Sequence, residues 1–135
     1  MIFVDASALV AIVLGEPDAE GLAATLESDD AAMTSPVAVY EAVLAIARQR
    51  EGGIAAARAD LDTLLNEARI RLVPLAPEDA ELALSAFERF GKGQGHPARL
   101  NMGDCFAYAA AKRRGIALLF KGDAFSLTDV NSAPT

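Results

Sequence analysis

The stretch that decides the fold is MIFVDASALVAIVL, residues 1–14. Its Ile2-Phe3-Val4 run joins β-branched and aromatic residues without a polar interruption, as in a strand buried on both faces of a parallel sheet. The run stops at Asp5, and an apolar, helix-prone segment follows until Gly15 and Pro17 end it. A carboxylate at a strand-to-helix junction faces the edge where open α/β sheets keep their ligand crevice.

Working outward, the same alternation continues. Residues 20–27 read as a helix with Leu22 and Leu26 on one face, and 31–34 as a short second strand. Ser35-Pro36 is a helix-start signal for 37–50, which Gly52-Gly53 breaks before a further helix over 54–68. A strand is predicted over 70–75, then a helix over 78–90 anchored by Leu82, Leu84, Phe87 and Phe90. A Gly-rich loop covers 91–100. Asn101 caps a helix over 102–114, Gly115 ends it, and 116–120 reads as a buried strand. The polar tail after Thr128 is expected to be poorly ordered. Strands alternating with helices predict an α/β fold, a parallel sheet with helices on both faces, in a single domain over 1–135.

Composition narrows the function classes. Apolar residues form 53% of the 135, too many for a disordered chain. The lone Cys105 excludes an internal disulfide and fits a reducing compartment. The N-terminus lacks a basic signal-like region, and no uncharged run reaches the ~18 residues of a membrane span, so a soluble cytoplasmic protein is expected. The net charge of −7 opposes a polyanionic partner, but residues 89–121 contain seven bases and one acid. That third carries +6 and the remainder −13. Lys92, Arg99, Lys112 and Lys121 are therefore candidates for the phosphates of a polyanion, the alternative being solvated helix ends and loop.

Four carboxylates stand out. Asp5 and Asp123 each follow an apolar strand, although either also suits a cap or turn. Glu41 is the only charged residue in PVAVYEAVLAIA, on a face shared with Val37 and Leu44. A carboxylate there needs a proton, an ion pair or a metal. Asp104 lies in the first turn after Asn101, where a capping box is the competing role. Without clustered His or Cys, four carboxylates make a hard oxygen site suited to Mg²⁺ or Mn²⁺ and poorly to zinc. Such sites hydrolyse phosphodiesters without a side-chain nucleophile. His96 reads as a solvated loop residue, Cys105 as a small buried hydrophobe, and Tyr40 and Tyr108 as packing residues.

The segments FVDASALVAIVLGEP, TSPVAVYEAVLAIA, LNMGDCFAYAAAK and LLFKGDAFSLTDV resemble, in order and spacing, the PIN-domain ribonucleases, and more closely the VapC toxins of bacterial toxin–antitoxin modules. The resemblance implies a three-layer α/β/α sandwich with a mainly parallel central sheet. It implies an endoribonuclease whose Asp5, Glu41, Asp104 and Asp123 bind Mg²⁺ or Mn²⁺, with Asp5 and Asp104 as the most direct ligands. Ser7 matches the family's hydroxyl residue, which supports a carboxylate, and Asn101 a polar residue that positions the L-N-x-G-D segment. Asp129 competes with Asp123 for the fourth place. A homodimer and a VapB-like antitoxin are implied partners, with the helices bearing Arg48, Arg50 and Arg58 as contact candidates. The antitoxin tail would block the acidic pocket with a basic residue.

Two rivals remain. A haloacid-dehalogenase-like phosphatase also begins with a strand ending in Asp, but wants a second Asp two positions on, where Ser7 stands. The other is a PIN-fold module that binds RNA or protein without catalysis.

Overall fold

The computed structural model describes residues 1–134. Its sheet contains β1 (Ile2–Val4), β2 (Ala32–Thr34), β3 (Arg71–Leu72) and β4 (Ala117–Leu119), all parallel, in the spatial order β3-β2-β1-β4. The chain steps outward from β1 through β2 to β3, then returns to place β4 on the other side of β1. The switch point, where a parallel sheet opens a crevice, therefore lies between the carboxyl ends of β1 and β4. Strand alternation divides the core: Ile2 and Val4 pack with one cluster, Phe3 with the other.

The first layer holds α1 (Ala6–Leu14), α2 (Ala19–Ser28), α3 (Pro36–Gln49) and α4 (Gly53–Glu67). The opposite layer holds α5 (Pro77–Phe90) and α6 (Met102–Arg114). The three-layer α/β/α sandwich is present. Local chemistry explains most boundaries. Ser35 Oγ accepts the Ala38 N–H at 3.2 Å with Pro36 at the first helical position, and Gly15 and Gly115 close α1 and α6 at φ 67° and 63°.

Three expectations need correction. The strand predicted over 70–75 shrinks to Arg71–Leu72, although the Val73 N–H still reaches Thr34 O at 2.9 Å; Pro74 has no N–H to extend the ladder. The tail through Pro134 is ordered against β4, and Thr135 lies outside the described residues. Leu118 N–H donates to Asn131 O at 2.8 Å, Ala133 N–H donates to Leu118 O at 2.9 Å, and Val130 and Ala133 are buried. The buried face of α5 is Ala83, Ala86 and Phe90, whereas Leu84 is 72% exposed and Phe87 is also exposed. Small residues there let α5 sit close to α6.

A buried acid ties α5 to α6. Asp79, fully buried, accepts from Arg113 Nε at 2.7 Å and Nη2 at 3.2 Å, and from the Ala76 N–H at 2.7 Å. Arg114 lies 3.9 Å from the same carboxylate. Burial alone would raise this carboxyl, but the Arg113 hydrogen bonds, the Ala76 N–H and the two guanidinium charges hold it below its ordinary value. A depressed folded-state value means the stabilisation is complete above the ordinary carboxylate range and fades as pH falls through it. Asp79→Ala is expected to cost about 2 kcal/mol, less than a fully enclosed pair because Arg113 is partly solvated. Denaturant titrations should show that deficit at neutral pH and its shrinkage in acid.

Candidate active site

The mouth of the crevice is a hollow of about 430 Å³ whose walls include Asp5, Glu41 and Asp104. Each acid arrives on a different element. β1 delivers Asp5 as the cap of α1, α3 carries Glu41 in its second turn, and the first turn of α6 carries Asp104.

Asp5 is buried at 3% exposure and tightly held. Its N–H donates to Leu119 O at 2.9 Å, linking it to β4. Its Oδ2 accepts the Ser7 N–H at 3.0 Å and the Ser7 hydroxyl at 2.6 Å. Ser7 Oγ in turn accepts the Lys121 N–H at 3.0 Å, which leaves the hydroxyl proton for Asp5. Burial pushes the Asp5 carboxyl up to about 6, against the hydrogen bonds from Ser7 and with a contribution from the Asp104 charge.

Asp104 and Asn101 form a reciprocal capping box: Asn101 Oδ1 accepts the Asp104 N–H at 2.8 Å, and Asp104 Oδ2 accepts the Asn101 N–H at 3.0 Å. Capping and facing the hollow are thus compatible roles. Burial raises the Asp104 carboxyl despite that backbone bond. Glu41 is half-buried and, among the described residues, has no ion pair. Burial, then the charges of Asp5 and Asp104, push it up to about 7.

The other expected residues divide. Asp123 is exposed and lines the adjacent hollow with Asp18 and Gly122; Lys121 borders both. Asp129 lies elsewhere, accepting from Tyr108 at 2.5 Å, Lys112 at 3.4 Å and Arg89 at 3.5 Å. The basic third is largely committed to internal pairs: Arg113 and Arg114 to Asp79, Lys112 and Arg89 to Asp129, and Lys121 to Glu16 at 2.9 Å. Lys92 and Arg99 are exposed on the 91–100 loop and, among the described residues, unpaired. Arg50 pairs with Asp60 at 2.7 Å, while Arg48 faces the hollow. Tyr40, expected to pack, is 66% exposed on the rim, whereas Tyr108 is buried. His96 Nδ1 accepts the Ala98 N–H at 3.0 Å, and Cys105 is buried with its thiol pushed up to about 11 by burial and the nearby Asp104 charge.

Sequence reasoning passed over Glu16, Arg48 and Gly103 as parts of the site. Gly103 is buried, and a side chain there would overlap the Glu41 carboxylate. The available signal was a glycine in the first turn of a helix, where no turn geometry calls for one. Three oxygen acids with no ion-pair partner among the described residues form a donor set suited to a hard divalent cation. Among the described residues no three acid, His or Cys side chains close tightly enough to enclose an ion alone.

The PIN domain profile matches residues 2–131. The chain is 45% identical over 127 residues to a ribonuclease VapC of Mycolicibacterium smegmatis, covering 94% of this chain and 95% of that protein. The chain belongs to the PIN-domain family, among the VapC proteins. A VapC ribonuclease of Rhizobium meliloti, R02377, is 40% identical over 141 residues, covering 96% of this chain and 99% of that protein. Among solved structures, VapC20 of Mycobacterium tuberculosis, described as a Sarcin-Ricin loop cleaving toxin, superposes with TM-score 0.77 at 21% identity and full coverage of both chains. VapBC2 of Rickettsia felis, bound to a DNA fragment from its promoter, gives 0.69 at 13% identity, covering 98% and 96%. At those identities the structures support the shared PIN fold.

For this VapC-family chain, the raised Glu41 and Asp5 carboxyls have a sign that can be tested. The folded state binds more protons than the unfolded one between their ordinary and raised values, so metal-free stability falls as pH rises through that interval. In chelator, Glu41→Gln should melt above the parent at about pH 8, and the gap should close by about pH 4. Melting curves across pH measure both.

Proposed function

We propose that this protein is a Mg²⁺- or Mn²⁺-dependent endoribonuclease and the toxin of a VapBC-like module. The observation that carries the reading is the gathering of Asp5, Glu41 and Asp104, from three separate elements, at the sheet's switch point with no ion pair to any of them among the described residues. Uncompensated like charges are costly and persist where they serve a ligand. In this reading the three carboxylates hold the cation, and Asp123, lining the adjacent hollow, adds charge from outside. The cation, when bound, supplies positive charge to the scissile phosphate and lowers the pKa of water.

The chain's own residues do the rest. Ser7 fixes the rotamer of Asp5, and Asn101 fixes Asp104. Burial and the Asp5 and Asp104 charges raise the Glu41 carboxyl, and a cation held beside it would favour its ionised form. Arg48 and Lys121 border the hollow and Lys92 and Arg99 lie on the 91–100 loop; in this reading these four hold RNA phosphates along an otherwise acidic surface, Lys121 after leaving Glu16. Lys112 must first leave Asp129. Exposed Tyr40 offers a ring to a base at the rim.

The partners in this reading are RNA, a VapB-like antitoxin and a second copy of the chain. A basic antitoxin side chain entering the hollow would meet three carboxylates, which supports inhibition by occupation. Leu84, Phe87 and Met102, exposed around one apolar hollow, supply surface for self-association.

Asp5→Asn and Asp104→Asn should each lower RNA cleavage by about 100-fold or more, on the scale of lost metal-ion catalysis, while circular dichroism stays parental. Asp123→Asn should retain far more activity than either. Parental cleavage in both Asp5→Asn and Asp104→Asn, or cleavage by the parent in excess chelator, would overturn the assignment.

A further inference from the structure

We infer that Gly103 is a positioning residue whose missing side chain admits the Glu41 carboxylate to the site. The inference rests on the metal-nuclease reading for its catalytic consequence, but its structural half stands on contacts alone. Gly103 is buried in the first turn of α6, next to Asp104, with an ordinary helical φ. Backbone freedom is therefore not the reason for glycine. The reason is space: a β-carbon built on Gly103 collides with the carboxylate carbon and both carboxylate oxygens of Glu41.

Two helices from opposite layers meet here. α3 belongs to one core cluster and α6 to the other, and Glu41 reaches across to lie on the backbone of α6 beside Asp104. The colliding atoms are the far end of a flexible side chain. Alanine at 103 is therefore accommodated by rotating Glu41 outward rather than by moving the helices. Moving a carboxylate that has no ion pair among the described residues away from the Asp5 and Asp104 charges relieves repulsion, and alanine is a better helix residue than glycine. A residue kept only for packing would lose stability on substitution. Gly103 should gain it while the site loses an acid.

The test is a set of full-length variants: Gly103→Ala, Glu41→Gln, Glu41→Asp, and each Glu41 change combined with Gly103→Ala. Melting in chelator reads the contact without metal or substrate. Mn²⁺ titration by calorimetry and cleavage of a total-RNA substrate read the site. Gly103→Ala should melt at or above the parent in chelator and bind Mn²⁺ about 10- to 100-fold more weakly, the range seen when groups supporting metal ligands are removed. Cleavage should fall in parallel. Because Gly103 acts through Glu41, adding Gly103→Ala to Glu41→Gln should cost little further Mn²⁺ affinity. The Asp side chain, one methylene shorter, should recover part of the Mn²⁺ affinity in the Gly103→Ala background.

A marked fall in melting temperature for Gly103→Ala, or additive losses with Glu41→Gln, would overturn the inference. Failure of the nuclease reading looks different. The parent then neither binds Mn²⁺ nor cleaves RNA, and the contact is decided in chelator by whether Gly103→Ala and Glu41→Gln stabilise non-additively.

Discussion

The burial of three carboxylates, Asp5, Glu41 and Asp104, around one hollow is the constraint around which the molecule is arranged. Burial raises all three carboxyls, and the charges of their neighbours add to it at Glu41 and Asp5. Such a group cannot hold itself together. It is held by elements whose stability arises elsewhere: β1 hydrogen-bonded on both sides, α3 seated in one apolar cluster and α6 in the other. The two layers are thus the clamp that keeps like charges within reach of one another.

The attachments at the site are short and reciprocal. Ser7 joins Asp5 to the backbone of the β4 end, so one hydroxyl couples the two strands that flank the switch point. Asn101 and Asp104 satisfy each other's backbone donors, turning a helix cap into a fixed orientation for a carboxylate. Positive charge, by contrast, is mostly held away from the hollow. Asp79 gathers Arg113 and Arg114 on the far side of α6, and Asp129 gathers Arg89 and Lys112. The acidic character of the hollow depends on that segregation as much as on its own acids.

Much of this was legible in the sequence because local chemistry sets it. The strand ending at Asp5, the Ser35-Pro36 start, the Asn101 cap and the Gly115 stop each depend on a few neighbouring residues, and their elements appear where those residues place them. Glu41 was legible because a single acid in an apolar helix has few uses. What sequence could not reveal was long-range. The pairing of residues 131–133 with β4 involves backbone groups, which composition does not record. The packing of α5 through alanines, with Leu84 turned outward, depends on how closely α6 approaches. The facing of Asp123 toward the neighbouring hollow, the capture of Arg113 and Arg114 by Asp79, and the contact of Gly103 with Glu41 all join residues distant along the chain.

The ordered tail has a consequence for how copies of this chain can meet. Residues 131–133 run along the outer margin of β4, while the opposite margin is β3, two residues long and followed closely by Pro74. Both borders of the sheet are therefore blunted, one by its own chain and one by brevity and proline. Short, blunted margins give a neighbouring molecule little backbone along which to extend the sheet, which leaves the helical faces as the larger surface for encounters, where sequence can tune contacts one residue at a time.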